Sequence, residues 1–421
     1  MEHPIRQTYT LMTNRPRAHQ NVLIVDPIFR GSRLFYSWMV SGAFPSHSID
    51  VVTRTDAWTE QAGSFFLETR PRLIECVETK PDFWYGKIPP DQQRRMVEAM
   101  VAEDRSRHYG AIFFSGVNEL YPNILDLLAS EFAAPLAGRP MVMVEYDARF
   151  LLRPSAELPP AYAFRRETFA RAFAAVPGLR VALLDERALD PEFSGLGSIP
   201  FGDRYFLLPD PIPGLSGPGS LTSRREPDPF VAGDGIKCLL VGIQSKRKGL
   251  TDVLAALNSC SEPDRMPTVF LSGKLEPDTE LLRPAIESLK GRLDWREEYV
   301  PEDLIRRTYA SCDYVIMPYD RSFHGSSGVL AYAAAYGKPL LVTDHGCIGY
   351  RVEKFGLGRT YPSGRPDLLA SALRGLPAPG EEEYEAMSRN CLNYAKANSM
   401  DKFQEIVRCK LDPESNGAEN Q

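Results

Sequence analysis

Short apolar runs alternate with helical stretches in two successive series along this chain, and this alternation limits the folds open to it. The first series predicts strands at residues 21–26, 49–53, 111–115, 140–144, 180–184 and 205–208, with helices through residues 35–39 and 123–128. The second series predicts strands at residues 236–241, 268–272, 314–317 and 340–342. Such runs are typical of buried parallel strands. The sequence therefore predicts an α/β protein with two open parallel sheets.

A segment dense in proline, glycine and serine, residues 209–232, predicts a linker between the two sheets. Residues 18–208 are then a first Rossmann-like domain, and residues 233–385 a second one. A last amphipathic helix is expected over residues 382–410, of which 386–410 follow the second domain, and a disordered tail at 411–421. Ligands of open parallel sheets bind where the strands end, so function is expected in the loops that follow the strands.

The composition excludes several classes of protein. A chain of 421 residues exceeds one ordinary core, and a net charge of −6 argues against a nucleic-acid partner. No apolar run reaches the roughly 20 residues of a membrane span, and the N-terminus lacks an apolar signal core, which together predict a cytoplasmic protein. The seven cysteines form no CxxC pair, so reduced thiols are expected and no zinc site is indicated.

Two turns have the composition of an anion site. Residues 241–250 combine a strand end, the consecutive cations Lys246, Arg247 and Lys248, and a helix start. Residues 324–330 form a Gly/Ser loop ahead of a short alanine-rich helix. A helix start presents free backbone N–H groups and the positive end of the helix dipole, which suit a phosphate. The two turns together predict a site for a diphosphate-containing ligand.

Each turn also has an ordinary interpretation. The cations are compatible with a solvated turn, and Ser326 or Ser327 with a simple helix cap. A lone histidine such as His324 is more often a surface or packing residue than a ligand contact. The combination of the two turns, rather than either one alone, favours anion binding.

The order of features from residue 235 to about residue 407 resembles the second domain of GT-B retaining glycosyltransferases, the large family that includes sucrose-phosphate synthase. The resemblance rests on four stretches: Val241-Gly242 to Lys248-Gly249, Leu271-Ser272-Gly273-Lys274, residues 300–319, and Ser327-Gly328-Val329-Leu330 with Gly337-Lys338-Pro339. It implies two Rossmann-like domains facing across a cleft and a C-terminal helix that crosses back to the first domain. It also implies sugar transfer from a UDP- or GDP-sugar, without cofactor or metal.

The chain departs from the family pattern at four positions. Where the family carries two acidic residues eight apart, this sequence has His324 and Tyr332. Ile243 replaces an arginine of the basic turn, and Tyr146 replaces a histidine that follows a strand of the first domain. These departures leave two alternatives open: a catalytically silent GT-B protein that binds or scaffolds an active transferase, and, less strongly, a sugar-nucleotide epimerase.

The predicted site is divided between the two domains. Lys248 is the catalytic cation, and Glu145 and Asp147 are the candidate carboxylates for acid–base or hydroxyl-binding work. The donor-binding candidates are Arg247, Gly242, Tyr299, Val300, His324, Ser326, Ser327, Gly328 and Val329. The acceptor-binding candidates are Gly31, whose missing side chain permits close approach, Ser32 and Tyr146. No metal ligand is assigned.

The acceptor is predicted only by class, as a glycan, a lipid-linked saccharide or a small molecule. Arginines near aromatic residues, at positions 30–38, are compatible with peripheral contact to the inner membrane face or to a lipid-linked acceptor, as is the aromatic run at 83–85. Core packing accounts for such aromatics more often. The sequence does not specify an oligomeric state.

Overall fold

The computed structural model describes residues 21–29, 31–66, 70–78, 87–153, 159–210, 227–259, 266–298 and 302–412. Most of the predicted linker (211–226) and of the predicted tail (413–421) lie outside these residues, as do Arg30 and the aromatic run 83–85. Within the described ranges the chain forms two parallel sheets with helices between the strands.

The first sheet has seven described strands in the order β3-β2-β1-β4-β5-β6-β7, all parallel. The strands are β1 (Asn21–Asp26), β2 (Ser48–Arg54), β3 (Arg72–Val77), β4 (Ala111–Phe114), β5 (Met141–Glu145), β6 (Leu179–Leu183) and β7 (Tyr205–Leu207). The central strands are apolar and buried because two core clusters cover both faces of the sheet. The strand order reverses between β1 and β4, so the loops after these strands diverge and form a crevice.

The helices of this half follow the strands that they cover. They are α1 (Gly31–Ala43), α2 (Glu60–Phe65), α3 (Pro90–Arg107), α4 (Asn123–Leu128) and α5 (Pro160–Ala175). The six predicted strands are confirmed, but the sequence does not predict β3. This strand lies at the edge of the sheet, and its charged residues Arg72 and Glu75 break the apolar run that marks a buried strand.

The second sheet has six described strands in the order β10-β9-β8-β11-β12-β13, again all parallel. The strands are β8 (Lys237–Val241), β9 (Thr268–Ser272), β10 (Leu293–Arg296), β11 (Tyr314–Met317), β12 (Leu340–Thr343) and β13 (Gly358–Tyr361). The helices are α6 (Leu250–Asn258), α7 (Arg283–Ser288), α8 (Glu302–Ser311), α9 (Gly328–Ala335), α10 (Gly346–Phe355) and α11 (Pro366–Arg374). The four predicted strands are confirmed, and the two that were not predicted, β10 and β13, are the polar edge strands.

The predicted single helix at 382–410 is wrong, because the structure has two helices there. α12 (Glu382–Ala397) packs on α9, and α13 (Met400–Leu411) packs on α1 of the first domain. The helical conformation is interrupted at Asn398, the C-cap of α12. Ser399 caps α13 by accepting a hydrogen bond from the N–H of Lys402. Buried residues of α13, including Phe403 and Val407, complete a core of the first domain. The predicted crossing back to that domain is therefore confirmed.

Among the described residues, no helix combines the length and the apolarity that a bilayer crossing requires.

Candidate functional site

The loop at residues 325–328, which we call the anion loop, follows β11 and leads into α9. Ser327 is the N-cap of α9, and its Oγ accepts a hydrogen bond of 3.3 Å from the N–H of Val329. Within the described residues, the N–H groups of residues 325–328 donate to no other protein group. These donors are partly exposed and lie at the positive end of the α9 dipole. The structure therefore shows unpaired donors at this helix start, and their use by a phosphate stays a prediction.

The ammonium of Lys248 is tied to this loop through a tyrosine. Lys248 Nζ donates to the hydroxyl of Tyr319 and lies 4.3 Å from the centre of the Tyr319 ring. The same hydroxyl is 3.2 Å from Ser327 Oγ. No carboxylate of the described residues forms an ion pair with Lys248. The ammonium thus faces the anion loop with only a neutral partner, and its charge is available to an anionic ligand.

The close approach of the basic turn to β11 depends on Gly249. This residue has φ of 70°, and a Cβ there would lie 1.7 Å from the carbonyl oxygen of Pro318. Any larger residue would push the turn away from Tyr319. The glycine therefore sets the distance between Lys248 and the anion loop.

The remaining donor-side candidates surround these groups. The guanidinium of Arg247 lies 5.3 Å from the ring centre of Phe323, and the carbonyl of Arg247 accepts a hydrogen bond of 3.0 Å from Asp320. Gly242, with φ of 99°, directly follows β8, and its N–H donates to the carbonyl of Ser272. Val329 is half-buried in the first turn of α9. Tyr299 and Val300, predicted near the nucleobase, lie outside the described residues.

His324 precedes the anion loop, and its surroundings disfavour the charged form of its imidazole. Burial lowers the pKa of its imidazole, and the guanidinium of Arg149 and the ring of His345 lower it further. The two imidazole rings meet edge to face at 5.9 Å. Arg149 belongs to the first domain, and the loops after β5 and β11 do lie close together, because a Cβ on Gly325 would lie 3.9 Å from the carbonyl oxygen of Tyr146.

Tyr146, an acceptor-side candidate, is engaged by its own domain. Its hydroxyl donates to the carbonyl of Ser115 at 3.0 Å, its N–H donates to Asn118, and the guanidinium of Arg33 lies 3.9 Å from its ring centre. Burial raises the pKa of the phenol well above its usual value. A Cβ on Gly325 would come within 3.9 Å of the Tyr146 carbonyl, so this residue borders the anion loop through its backbone.

The two carboxylates proposed as catalytic, Glu145 and Asp147, are both paired with arginines. Glu145 is fully buried, accepts from Arg165 and from the N–H of Asp147, and has a pKa raised by burial. Asp147 binds Arg149 through both oxygens, at 2.8 and 2.7 Å, and caps the short helix Ala148–Leu151. Burial opposes ionisation of Asp147, yet its bonds to Arg149 hold the pKa below the usual value. This geometry suits shaping of the loop after β5 better than proton transfer.

Gly31 and Ser32 are the first two residues of α1, in the loop region after β1. Their backbone therefore lies at the carboxyl edge of the first sheet, where an acceptor was predicted.

Three residues of the site were not identified from the sequence. Tyr319 was noted only as part of a motif, Arg33 only beside aromatic residues, and Asp210 only as part of the linker. The Asp210 carboxylate accepts from the Tyr36 hydroxyl at 2.8 Å and from Ser326 Oγ at 2.9 Å. It therefore bridges α1 and the anion loop. No pattern in the sequence indicated the contact between Asp210 and Ser326, because these two residues are 116 positions apart.

A separate network joins the two domains beside the cleft. Glu186, after β6, accepts from Arg351 of α10 at 2.7 Å and from the hydroxyl of Tyr394 of α12 at 2.9 Å. Glu186 also belongs, with Asp185 and Cys347, to a cluster whose atoms are close enough for a metal ion. Both carboxylates are already neutralised by arginines, Asp185 by Arg187 and Glu186 by Arg351. The cluster therefore serves as an interdomain contact.

Comparison with protein families matches residues 235–377 to the family described as Glycosyl transferases group 1. No curated protein sequence matches the chain. The matched range contains the basic turn, Tyr319 and the anion loop, which are the groups that the structure brings together.

Solved structures with a similar fold cover nearly the whole chain. HepE from Anabaena, determined in complex with UDP-glucose, has 14% identity and a TM-score of 0.60 over 94% of this chain and 99% of its own. A glycosyltransferase from Rickettsia africae has 11% identity and a TM-score of 0.65 over 94% and 99%. Sucrose-phosphate synthase from Thermosynechococcus elongatus has 13% identity and a TM-score of 0.63 over 96% and 100%. The second domain thus matches the glycosyl transferases group 1, and the two-domain fold is that of the GT-B glycosyltransferases.

Proposed function

We propose that this protein transfers a sugar from a nucleoside diphosphate donor to an acceptor hydroxyl. The observation that carries the proposal is the chain of contacts from Lys248 through Tyr319 to Ser327, which places an ammonium beside unpaired N–H groups in the cleft. The match of residues 235–377 to a glycosyltransferase family supports the same function.

The chemistry follows from where charge develops. When the bond between the sugar and the diphosphate breaks, negative charge grows on the leaving phosphate, and the N–H groups of residues 326–328 and the Lys248 ammonium stabilise it. Removing one donor of this kind typically costs about 10²–10³ in rate. Fixed protein cations and amides can fill the role that a metal ion has elsewhere, so we propose a metal-independent reaction.

The donor and acceptor are proposed by class. HepE binds UDP-glucose, so a UDP-sugar is the first donor to test here, followed by a GDP-sugar. The acceptor would enter from the first domain, beside Gly31 and Tyr146, and is a glycan, a lipid-linked saccharide or a small molecule. Retention of the anomeric configuration and a cytoplasmic location are proposed from resemblance and composition.

A donor screen tests this function. Purified protein is incubated with UDP- and GDP-sugars, nucleotide release is measured, and binding of UDP and GDP is titrated by calorimetry. We expect release from one donor class and a loss of at least about 100-fold in Lys248→Ala, because the leaving phosphate loses its cation. Lys402→Ala, which removes an exposed lysine of α13 that pairs with Glu405, is the matched control and should leave the rate unchanged.

Two outcomes would contradict the proposal. If neither nucleotide binds, a scaffold role without catalysis is favoured instead. If Lys248→Ala releases nucleotide as fast as the unmodified protein while its far-ultraviolet circular dichroism is unchanged, the ammonium has no part in the reaction.

A further inference from the structure

The carboxylate of Asp210 contacts both domains. One oxygen accepts from the Tyr36 hydroxyl on α1, at 2.8 Å, and the other from Ser326 Oγ of the anion loop, at 2.9 Å. Tyr36 is itself almost fully buried, so its hydroxyl is a fixed anchor. The carboxylate therefore lies beside the N–H groups on which we place the diphosphate.

The partners of Asp210 differ in kind from those of three other carboxylates at this edge, whereas the buried Asp26 also has only neutral donors, all of them in its own domain. Glu119, Glu145 and Asp147 are each paired with an arginine, namely Arg33, Arg165 and Arg149. Asp210, in contrast, contacts two neutral hydroxyls and forms no ion pair with a cation of the described residues. A carboxylate offers about four acceptor positions, so about two remain for further donors.

From these contacts we propose that Asp210 binds hydroxyl groups of the donor sugar, an inference that rests on the proposed transferase function. The sugar is bonded directly to the phosphate that the anion loop receives, so its hydroxyls come within reach of a carboxylate that already touches Ser326. When the diphosphate engages Ser326, Asp210 exchanges the serine hydroxyl for a sugar hydroxyl. The Asp210 carboxylate thus accepts a hydrogen bond from a neutral hydroxyl both before and after the donor binds.

Tyr36 acts as a positioning residue in this arrangement. Burial raises the pKa of its phenol well above the usual value, and the charge of Asp210 raises it further, so the hydroxyl remains a donor at every physiological pH. It fixes one oxygen of Asp210 and leaves the other free to turn towards the ligand. Loss of this hydroxyl should weaken sugar binding less than loss of the carboxylate charge.

The experiment compares how the protein binds a nucleotide with and without its sugar. Calorimetry gives the Kd of UDP, UDP-glucose, UDP-N-acetylglucosamine, GDP and GDP-mannose for the unmodified protein, Asp210→Asn, Tyr36→Phe and the control Asp367→Asn. Asp367 is an exposed carboxylate of α11 that pairs with Arg365. We expect the ratio of the Kd of the best nucleotide sugar to that of its nucleotide to rise about tenfold or more in Asp210→Asn, the effect of losing one charge-assisted hydrogen bond. Tyr36→Phe should raise the ratio less, and the control should not change it.

Three outcomes would overturn the inference. If the ratio and the individual Kd values are all unchanged in both cleft variants, Asp210 does not touch the sugar. An equal gain in affinity for UDP and for UDP-glucose in Asp210→Asn means that the carboxylate only repels the diphosphate. If the unmodified protein binds no nucleotide at all, the transferase function fails, and the role of Asp210 fails with it.

Discussion

The polar groups at the carboxyl edges of the two sheets differ in how completely they are paired with other protein groups. At the edge of the first sheet, charged groups satisfy one another: Arg33 binds Glu119 and the carbonyl of Ser115, and Glu145 binds Arg165. At the edge of the second sheet, donors exceed acceptors among the described residues. Within the described ranges, the four N–H groups of residues 325–328 have no protein acceptor, and Lys248 contacts only the hydroxyl and the ring of Tyr319.

This difference in pairing indicates which of the two domains has groups available to bind an anionic ligand. The loop donors are partly exposed, so water satisfies them when no ligand is bound, and an anionic ligand can take the place of that water. A self-satisfied edge gains nothing from an anion and instead offers a fixed surface. This contrast supports our proposal that the diphosphate binds to the second domain and the acceptor to the first. Changes at the first edge should cost stability, and changes at the second should cost binding.

The largest effect should follow from breaking the buried pair at the first edge. Arg165→Met leaves the fully buried carboxylate of Glu145 without its cation, which should lower the free energy of unfolding by about 3–5 kcal/mol. Lys248→Met, at the second edge, should leave it nearly unchanged, because Lys248 neutralises no carboxylate of the described residues. Urea denaturation followed by circular dichroism measures both. Equal destabilisation by the two substitutions would contradict the claim that only the first edge depends on internal charge pairing for stability.

An intermediate effect is expected at Gly116, where the first edge is packed most closely. A Cβ at this position would lie 1.5 Å from Nη1 of Arg33, so alanine must displace a guanidinium that binds Glu119 and covers Tyr146. Overpacking of this kind typically costs about 1–3 kcal/mol. Gly138→Ala is the matched control, since a Cβ there meets nothing within 4 Å. Equal thermal midpoints for the two variants would show that the Arg33 contacts add no stability.

The sequence predicted the interior of both sheets better than their margins. Buried central strands such as β4 and β8 are apolar runs, and burial on both faces leaves little room for any other composition. The edge strands β3, β10 and β13 carry charges, and their conformation depends on pairing with a neighbour that is remote in sequence. The break between α12 and α13 had a local signal in Asn398 and Ser399, which the amphipathic pattern across it concealed.

The candidate site likewise contains features that the sequence predicted and contacts that it did not predict. The anion loop was predictable because a Gly/Ser helix start supplies its donors through the backbone, whatever the rest of the fold does. The link from Lys248 to Tyr319 spans 71 residues, and the link from Ser326 to Asp210 spans 116 residues and two domains. The first contact depends on the pairing of β8 with β11 within the second sheet, and the second on how the two sheets face each other. No short sequence pattern encodes either arrangement. Glu145 looked available in the sequence because the arginine that pairs with it lies 20 residues away. The partner of Asp147, Arg149, is only two residues away, so that pairing was visible in the sequence and was missed.

The smallest expected effect concerns protons at the boundary between the two edges. Burial, together with the charges of Arg149, His345 and Arg187, lowers the pKa of His324, whereas Asp147 opposes the shift. A lowered pKa means that the unfolded chain binds a proton at His324 before the folded protein does, so acidification through about pH 6.5 should reduce stability. His324→Gln removes this contribution, and the gap in unfolding free energy between variant and unmodified protein should shift in favour of the variant as the pH falls from 7.5 to 5.5. Urea titrations at each pH measure the gap. A gap independent of pH would mean that neither burial nor the neighbouring cations, Arg149 of the first domain among them, lower the pKa of this imidazole in the folded protein.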